Sequence, residues 1–445
     1  MNLKAARILI LGGGRSGRAA AALCLREGAD VALADSAGSG GALESSLAPL
    51  AAQGLTFLGD AAASGSYDLA VLSPGIHPRR DWASAWLRHC SEMTGETELA
   101  SRFYRGHMIG ITGTNGKTTT TGMTAAALRG GGIEAFAAGN IGTPLSEIVV
   151  SHPEARAVAL ELSSFQLETI STLKPNTAVW LNFSADHLDW HASLEEYRAA
   201  KERIFLNMGP DEVVVVPPPM VATATAGGSR ARTFDPDDMS ADFHLRENQI
   251  IREGRPLATV DSFRVRGRHN HANLLAAFAA AEAAGVDDTR ALAALAAFTP
   301  PEHRYQLVAT AADGTCFIND SKSTNSHSLA SALGAETRPV VLLAGGAEKG
   351  LDYAEIKPLL AERCRALVVF GELGARLERE WSQLAPLRRH PRLDAKTLRS
   401  ARDLANPGDL ILLSPGTSSF DQFTDYTERG RAFAELVADS LRHQP

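Results

Sequence analysis

The fold is decided by the stretch Met108-Ile109-Gly110-Ile111-Thr112-Gly113-Thr114-Asn115-Gly116-Lys117-Thr118-Thr119. An apolar run leads into a glycine-rich turn, and Lys117 and Thr118 then begin a helical pattern. Backbone N–H groups of such a turn bind phosphates, the lysine reaches the β- and γ-phosphate oxygens, and the following hydroxyl binds Mg²⁺. Ile111 occupies the place of the first glycine of the strict Walker pattern. We predict a nucleoside-triphosphate site, the alternative being a glycine-rich turn with an incidental lysine.

Short apolar strands alternate with Ala- and Leu-rich helices along the whole chain. The predicted strands are Arg7–Leu11, Leu69–Leu72, Met108–Ile111, Ala157–Leu162, Thr177–Asn182, Val340–Leu343, Leu367–Phe370 and Leu410–Leu413. Continuously apolar strands separated by helices indicate parallel sheets covered on both faces. Because ligands bind at the carboxyl ends of parallel strands, the informative residues should follow the strands. The predicted fold class is therefore α/β.

A second glycine-rich turn lies near the start of the chain. The apolar run Ile8–Leu11 precedes Gly12–Gly17, which has the G-x-G-x-x-G pattern and opens a predicted helix over Arg18–Glu27. Asp35 ends the next strand, where a carboxylate that binds a ribose is expected. The turn favours a nucleotide such as NAD or FAD over a purely structural role. A triphosphate loop elsewhere in the chain argues against a plain dehydrogenase.

A third turn, Ser73-Pro74-Gly75-Ile76, follows the strand Leu69–Leu72. A type II turn, with glycine after proline, and a backbone contact to a ligand fit this sequence equally well.

The chain divides into three predicted domains, 1–96, 97–299 and 300–445. Each of the first two carries one of the nucleotide turns, and Thr299-Pro300-Pro301 is the predicted linker to the third, because proline disfavours helix in the residue before it. Asp211–Asp261 contains short β-like runs and many turn residues. We expect this segment to be an antiparallel insert.

Composition narrows the class of protein. The 445 residues carry a formal net charge of −7, which argues against a general nucleic-acid binder. The four cysteines form no close pair, as expected for a reduced cytosolic protein. The long uncharged run Val213–Ser229 contains three prolines and is no membrane helix. We therefore expect a cytoplasmic protein without membrane insertion.

Several segments resemble the ATP-dependent Mur ligases, the amide-forming enzymes of peptidoglycan precursor synthesis. Beyond the phosphate loop they are Gly139–Gly142, Leu160–Glu168, Asp186–Asp189, Tyr197–Lys201, His303-Arg304, Asn319–Asn325, Gly345–Lys349 and Ser414–Phe423. The segments Leu160–Glu168 and Ser414–Phe423 are similar to the family members that add glutamate to UDP-N-acetylmuramoyl-L-alanine. The Asp-Asn-Pro-Arg string of the diaminopimelate-adding relatives is absent from the sequence.

The resemblance implies a fold and a reaction. The expected domains are a Rossmann-like N-terminal domain that holds UDP, a central P-loop ATPase-like domain and a C-terminal Rossmann-like domain. ATP would convert the alanyl carboxylate into an acyl phosphate, which the amine of glutamate attacks. Cofactors would be ATP, two Mg²⁺ ions and a carbamylated lysine. The partners would be small-molecule substrates only, and we expect a monomer.

Site residues also follow from the resemblance. It implies as catalytic residues Lys117, Glu161, His187 and Lys201. The metal ligands would be Thr118, Glu161, His187 and Lys201 as its carbamate. ATP would contact Gly113, Thr114, Asn115, Gly116, Lys117, Thr118, Thr119, Asn270, Asn273, Arg304 and Asp320. The UDP substrate would contact Gly14, Arg15, Ser16, Asp35, Ser36, Gly75, Asn140, Ser163 and Gln166. Glutamate would contact Lys322, Thr324, Lys349, Ser419 and Tyr426.

Each assignment has a plainer alternative. Glu161 could be a solvated residue at the rim of a sheet, and Lys201 a solvated lysine on a helix that carries an Arg198–Glu202 ion pair. Helix capping could explain two further pairs, Ser163 with Ser164 and Asn270 with Asn273. Asp35-Ser36-Ala37 lacks the arginine that often follows in the family, and Arg15 is the candidate to replace its charge.

Three other functions fit parts of the pattern. A folylpolyglutamate-type or other Mur-type ligase would keep the phosphate loop but lack Ser414–Phe423. An NAD-dependent oxidoreductase would use Gly12–Gly17 and Asp35 but would give no role to Lys117, Glu161 and Lys201. A non-catalytic nucleotide-binding regulator is the third alternative, and it is disfavoured because every expected type of catalytic residue is present in the sequence. The residues fit D- and L-glutamate equally.

Overall fold

The computed structural model describes residues 2–36, 42–140, 142–187, 190–265, 267–334 and 337–442. Ile141, Leu188, Asp189 and Ala37, which belong to segments named above, lie outside the described residues. The chain forms two compact units. The first contains Met1–Ser262 and Ala272–Phe298, and the second contains Phe263–His271 and Thr299–Pro445.

The first sheet of the first unit is built from residues 7–95. Its elements are β1 (Arg7–Leu11), α1 (Arg15–Arg26), β2 (Asp30–Ala34), α2 (Ala42–Ala51), β3 (Thr56–Gly59), β4 (Tyr67–Leu72), α3 (Asp81–Leu87) and β5 (Cys90–Gly95), followed by α4 (Glu96–Ser101). The strands run parallel in the order β3-β2-β1-β4-β5. Apolar side chains of β1 and β2 are buried after the first residue of each strand, as in a sheet covered by helices.

The second sheet carries the phosphate loop. Its elements are β6 (His107–Thr112), α5 (Lys117–Gly130), β7 (Ala135–Gly139), α6 (Leu145–Ser151), β8 (Ala157–Glu161), α7 (Ser164–Glu168), β9 (Thr177–Trp180), α8 (Leu194–Glu202), β10 (Val213–Val216), α9 (Val221–Ala224) and β11 (Arg230–Thr233). All strands are parallel, in the order β11-β10-β9-β6-β8-β7. Because β6 lies between β9 and β8, the loops that follow these strands meet at one edge of the sheet.

The rest of the first unit is a small antiparallel sheet and two helices. The elements are β12 (Phe243–Arg246), β13 (Gln249–Arg252), β14 (Arg255–Thr259), α10 (Arg268–Ala283) and α11 (Asp288–Ala297), of which the first residues of α10 belong to the second unit. The expectation of an antiparallel insert over Asp211–Asp261 was therefore partly wrong. Val213–Val216 and Arg230–Thr233 extend the parallel sheet, and the antiparallel pairing begins at Phe243.

The second unit has one mixed sheet. Its elements are β15 (Gln306–Thr310), β16 (Cys316–Asn319), α12 (Ser326–Gly334), β17 (Val340–Gly345), α13 (Lys357–Arg363), β18 (Cys364–Phe370), α14 (Gly371–Trp381), β19 (Leu387–His390), α15 (Ala395–Leu404), β20 (Leu410–Leu413) and α16 (Tyr426–Arg442). The order is β15-β16-β20-β17-β18-β19, in which only β15 is antiparallel among the described strands. The α/β class with parallel sheets is thus confirmed, whereas the division into three domains stays a prediction.

Two buried carboxylates tie α4 to elements of the second sheet. Glu96 Oε1 accepts a hydrogen bond from the backbone N–H of Ser146 in α6 (2.7 Å). Glu98 is fully buried and accepts bonds from the backbone N–H groups of Ser171, Thr172 and Leu173, at 2.9–3.2 Å. Burial raises the pKa of Glu98, but these hydrogen bonds and that from the Thr172 hydroxyl outweigh it and leave the pKa below its usual value.

Candidate functional site

The phosphate loop occupies Gly113–Gly116 between β6 and α5. Gly116 has φ +83°, a left-handed conformation that favours glycine, and a Cβ there would lie 2.2 Å from Asn273 Oδ1. Asn182, which follows β9, holds the loop from the side: its Oδ1 accepts from the Asn115 N–H (2.9 Å) and its Nδ2 donates to the Asn115 carbonyl (3.1 Å). Asn182 was not among the site residues predicted from the sequence, although its place at the end of a predicted parallel strand was a usable signal. Gly116 and Asn182 thus fix the conformation of the loop.

Two lysines meet at the Gly113 carbonyl oxygen. Lys117 Nζ donates to it at 2.9 Å and to the Thr114 carbonyl at 2.8 Å, and Lys201 Nζ donates to it at 2.7 Å. Lys201 is 1% exposed, so its interpretation as a solvated lysine was wrong. The Arg198–Glu202 pair is present on the same helix at 2.8 Å.

Burial lowers the pKa of Lys201 well below its usual value. The positive charge of Lys117 lowers it further, whereas Asp186 and Glu161 raise it. Desolvation and a neighbouring cation therefore favour the neutral amine, which is the nucleophilic form of lysine.

Glu161 ends β8 and is 2% exposed, so it is no solvated rim residue. Its Oε1 accepts from Asn140 Nδ2 at 3.0 Å, whereas its Oε2 is buried and has no hydrogen-bond partner. A buried carboxylate oxygen without a donor is costly unless a cation binds it. Carboxylate oxygens are ligands that Mg²⁺ prefers, so this site fits the metal implied by the resemblance.

His187 follows Asp186 in the segment after β9. Its φ of +54° is uncommon outside glycine and costs of order 1 kcal/mol. Its backbone N–H donates to Asp186 Oδ1 (2.9 Å), and its ring lies 4.9 Å from the ring of Phe165. The imidazole is partly exposed, so it remains accessible to a ligand.

The first glycine-rich turn is fixed mainly by its own contacts. The Gly13 N–H donates to Asp35 Oδ2 at 2.6 Å, and a Cβ on Gly17 would lie 1.7 Å from the Gly12 carbonyl oxygen. Arg15 pairs with Glu147 of α6 at 3.0 Å. The turn starts α1 at Arg15, three residues earlier than predicted. Gly14, Ser16 and Ser36 lie at the same edge of the first sheet, following β1 and β2.

The turn at Ser73–Ile76 closes with a bond from the Ile76 N–H to the Ser73 carbonyl (2.9 Å). Gly75 does not have the positive φ of a type II turn, so that interpretation was wrong. Together with α4, α7 and Trp190 the turn lines a cavity of about 380 Å³. Gln166 lines this cavity too, whereas Gly75 itself does not, although its neighbours Pro74 and Ile76 do.

A chain of buried hydrogen bonds fixes Gln166. Ser163 caps α7 in a capping box with Gln166, whereas its contact with the UDP substrate stays a prediction. Gln166 Nε2 donates to Thr97 Oγ1 (2.9 Å), which donates to Glu96 Oε2 (3.1 Å). Glu96 and Thr97 were not predicted from the sequence, because they belong to no recognisable motif.

The capping alternative fails for the two asparagines near the start of α10. Asn270 and Asn273 are the third and sixth residues of this helix, both are buried, and a cap would precede it.

In the second unit, Asp320 and the residues predicted to bind glutamate follow β16, β17 and β20, whereas Arg304 precedes β15. Asp320 accepts from Ser414 Oγ (3.0 Å) and from the Tyr305 N–H (3.1 Å), and burial raises its pKa to about 7. The positive charge of Arg304 acts on Asp320 in the opposite direction. Lys322 Nζ lies 4.3 Å from the ring centroid of Tyr426, so the structure brings these two predicted residues together.

The remaining glutamate candidates lie on the same loops. Ser419 is buried, Thr324 is half-buried and Lys349 is exposed. Arg429 of α16 joins two of these loops, because its guanidinium donates to the Ser321 and Thr417 carbonyls at 2.7 and 3.1 Å. This fully buried arginine was not predicted from the sequence.

Within the described part of the chain, none of the helices has the length and apolar character needed to cross a bilayer. The four cysteines are free thiols.

Known families match two parts of the chain. Residues 111–281 match the Mur ligase middle domain, and residues 303–416 match the Mur ligase, glutamate ligase domain. The chain is 40% identical to the UDP-N-acetylmuramoylalanine–D-glutamate ligase of Anaeromyxobacter dehalogenans, over 99% of both chains. It is 38% identical to the protein of the same name from Geobacter metallireducens, over 98% of both chains.

Solved structures share the fold. The UDP-N-acetylmuramate-alanine ligase of Thermotoga maritima aligns with a TM-score of 0.60 and 20% identity, covering 98% of this chain and 100% of that one. MurF from Acinetobacter baumannii aligns with a TM-score of 0.63 and 18% identity, covering 98% and 93%. At this identity the likeness concerns the fold alone.

Proposed function

The chain belongs to the Mur ligase family, and on this basis we propose that it joins D-glutamate to UDP-N-acetylmuramoyl-L-alanine in an ATP-dependent reaction of peptidoglycan precursor synthesis. The observation that carries the proposal is the meeting of Lys117, Lys201 and the Glu161 carboxylate around the phosphate loop. The names of the near-full-length relatives support the D isomer. We also propose a cytoplasmic location, because the reaction would draw on cellular ATP.

The reaction needs ATP because a carboxylate is a poor electrophile. The alanyl carboxylate oxygen attacks the γ-phosphorus, ADP leaves, and an acyl phosphate forms. The glutamate amine then attacks the acyl carbon, the C–O bond to phosphate breaks, and the ammonium proton is lost. Positioning and charge neutralisation supply most of the catalysis in such phosphoryl transfers.

The residues of the first unit would hold ATP. Backbone N–H groups of Gly113–Gly116 would bind the phosphates, and Lys117 would exchange its two carbonyl partners for phosphate oxygens. Asn182 keeps the loop in the shape that phosphate requires. Mg²⁺ would neutralise charge on the phosphoryl oxygens, held by Thr118, Glu161 and His187.

Lys201 would complete the metal ligands as a carbamate. The neutral amine adds to the carbon of CO₂, and the proton that it loses leaves a carbamate anion in place of a cation. The lowered pKa of Lys201 supports this step, because only the neutral amine reacts. An alternative NAD-dependent oxidoreductase would give no role to the buried Lys201 and Glu161.

We also propose which substrate each predicted domain binds. We assign residues 1–96 to a Rossmann-like domain for the UDP substrate, residues 97–299 to a P-loop ATPase-like domain and residues 300–445 to a Rossmann-like domain for glutamate. Gly14, Asp35 and Asn140 belong to the proposed UDP-substrate set, and Lys322, Ser419 and Tyr426 to the proposed glutamate set. The pairing of Lys322 with Tyr426 supports the second set.

A phosphate-release assay tests the function. We expect turnover only with ATP, Mg²⁺, UDP-N-acetylmuramoyl-L-alanine and D-glutamate together, and none with L-glutamate. Lys117→Ala should abolish turnover, while Lys174→Ala should not, because Lys174 is a half-exposed lysine that pairs with Glu212. Turnover without the UDP substrate, or near-normal turnover of Lys117→Ala, would contradict the proposal.

A further inference from the structure

Three metal-ligating side chains converge at a place separate from the phosphate loop. Glu168 ends α7, His191 lies in the segment after β9, and Glu196 is in the first turn of α8. One ligand atom from each residue lies within 4.8 Å of the other two. His191 and Glu196 are five residues apart, and the fold brings Glu168, which lies 23 residues before His191, to the same place.

His191 is the buried member of this cluster. The residue is 1% exposed, and its Nε2 lies 3.0 Å from Ser164 Oγ. Its Nδ1 is buried and makes no hydrogen bond of acceptable geometry, although Glu168 Oε1 is only 3.3 Å away. A buried ring nitrogen this close to a carboxylate oxygen is stabilised when it carries a proton or binds a cation.

Groups outside the cluster hold each ligand in place. Trp190 Nε1 donates to Glu168 Oε2 at 3.0 Å, and the Ala192 N–H donates to Glu196 Oε2 at 2.7 Å. Together with Ser164 at His191, these contacts give every ligand a second fixed atom. Protein metal sites commonly show this arrangement, in which an outer hydrogen bond sets the orientation of a ligand.

We propose that Glu168, His191 and Glu196 form a binding site for a divalent transition-metal ion such as Zn²⁺. One imidazole and two carboxylates match the N and O donors that Zn²⁺ accepts, and they leave one position for water. The ion would connect α7 to α8, the helix that carries Lys201, and to the segment that begins with Asp186 and His187. This role is structural and does not depend on the proposed ligase reaction.

Arg79 competes for one of the ligands, since it pairs with Glu196 at 3.4 Å. Both partners of this pair are more than a third exposed, so the pair itself is worth little. A divalent ion that gains three ligands can displace it.

Zinc titration of metal-depleted protein tests the site. All variants carry Glu161→Gln as a common background. This substitution removes a carboxylate of the phosphate-loop site, so that less zinc binds there, and no nucleotide is added. We expect one equivalent of Zn²⁺ to bind to the background variant. The matched control adds Glu195→Gln, which removes an exposed carboxylate next to Glu196, and it should bind Zn²⁺ equally well. Adding Glu196→Gln or His191→Gln to the background should weaken Zn²⁺ binding at least tenfold.

The His191→Gln variant has its substitution in a buried position and could fail to fold. Glu196 is half-buried, so the Glu196→Gln variant should fold and still test the site. Added Zn²⁺ should also raise the unfolding temperature of the background variant and of the Glu195→Gln control, but not that of the Glu196→Gln variant. Zinc affinity equal in the Glu196→Gln and Glu195→Gln variants, or no binding to the background, would overturn the proposal and indicate that His191 holds only a proton.

Discussion

At the residue scale, the buried Lys201 shows how environment changes chemistry. The side chain that carries a positive charge in water is held here beside Lys117 with its pKa well below the usual value. We expect protein equilibrated with ¹³C-bicarbonate to give a carbamate carbon signal in its NMR spectrum. Lys201→Ala should lack the signal, whereas Arg198→Ala, an exposed change on the same helix, should keep it. A signal that survives in Lys201→Ala would contradict the assignment.

Activity gives a second measurement of the same residue. Lys201→Ala should lose nearly all turnover and regain part of it with added formate or acetate, because these anions replace the missing carboxylate. Lys201→Arg should not restore activity, since arginine adds a positive charge where the metal needs a ligand. An active Lys201→Arg enzyme would exclude the carbamate.

Asp320 should give a pH-dependent contribution to stability. Burial raises its pKa from 3.8 to about 7 in the folded protein, so the folded state retains a proton that the unfolded state releases. The contribution of Asp320 to folding stability therefore falls as pH rises between these two values. We expect Asp320→Asn to gain stability relative to the wild type between pH 4 and pH 7. Urea denaturation across this range would measure the difference, and a difference independent of pH would contradict the raised pKa.

At the scale of elements, the phosphate loop permits a matched pair of substitutions. Gly116 and Gly132 precede and follow α5 and share φ +83°, but only at Gly116 would a Cβ meet another atom within 4 Å. Each alanine costs about 1–2 kcal/mol of backbone strain. We expect Gly116→Ala to weaken ATP binding more than tenfold and Gly132→Ala to leave it unchanged, as measured by calorimetry. Equal ATP affinity of the two variants would show that the loop geometry does not matter for binding.

The strands and the loops after them were largely predictable from the sequence. Fully buried parallel strands such as Ala157–Glu161 are apolar up to their last residue, and polar or glycine-rich turns follow them. The wrong expectations concern features set by pairing partners: Val213–Val216 reads as an isolated β-like run but pairs in parallel with β9 and β11. The expected type II turn at Gly75 was also wrong, because the residue pattern alone did not fix the sign of the Gly75 φ angle.

Burial of polar residues was harder to predict. Lys201 reads as a surface residue because its helix does carry exposed ion pairs, and only the resemblance singled it out. Glu96, His191 and Arg429 have no motif, because their partners lie far away in sequence. Asn182 could have been found by its position after a strand alone.

At the scale of the whole molecule, Glu98 should contribute to the cohesion of the first unit. Gln at this position would turn an amide N–H₂ toward the backbone N–H groups of Ser171–Leu173 and leave buried donors unpaired. We expect Glu98→Gln to lower the free energy of unfolding by roughly 2–3 kcal/mol near pH 7. Glu92→Gln on the exposed face of β5 is the control and should change stability by less than about 0.5 kcal/mol.

The effect of Glu98→Gln should depend on pH. Because the pKa of Glu98 is lowered in the folded state, its stabilisation is complete above its ordinary pKa of 4.5 and is lost as pH falls through the folded value. Chemical denaturation at pH 7 and pH 4 would measure this. A destabilisation that grows on acidification would contradict the assignment of the hydrogen bonds to the ionised carboxylate.

Isotope transfer tests the proposed ligase reaction most directly. UDP-N-acetylmuramoyl-L-alanine labelled with ¹⁸O in its alanyl carboxylate is incubated with the protein, ATP, Mg²⁺ and D-glutamate. Mass spectrometry then measures the masses of the UDP product and of inorganic phosphate. We predict a UDP product heavier by one glutamate residue and inorganic phosphate that carries one ¹⁸O atom, since the acyl phosphate keeps a carboxylate oxygen when its C–O bond breaks. Lys117→Ala should give neither product. A glutamyl product accompanied by unlabelled phosphate, or no glutamyl product at all, would contradict the account.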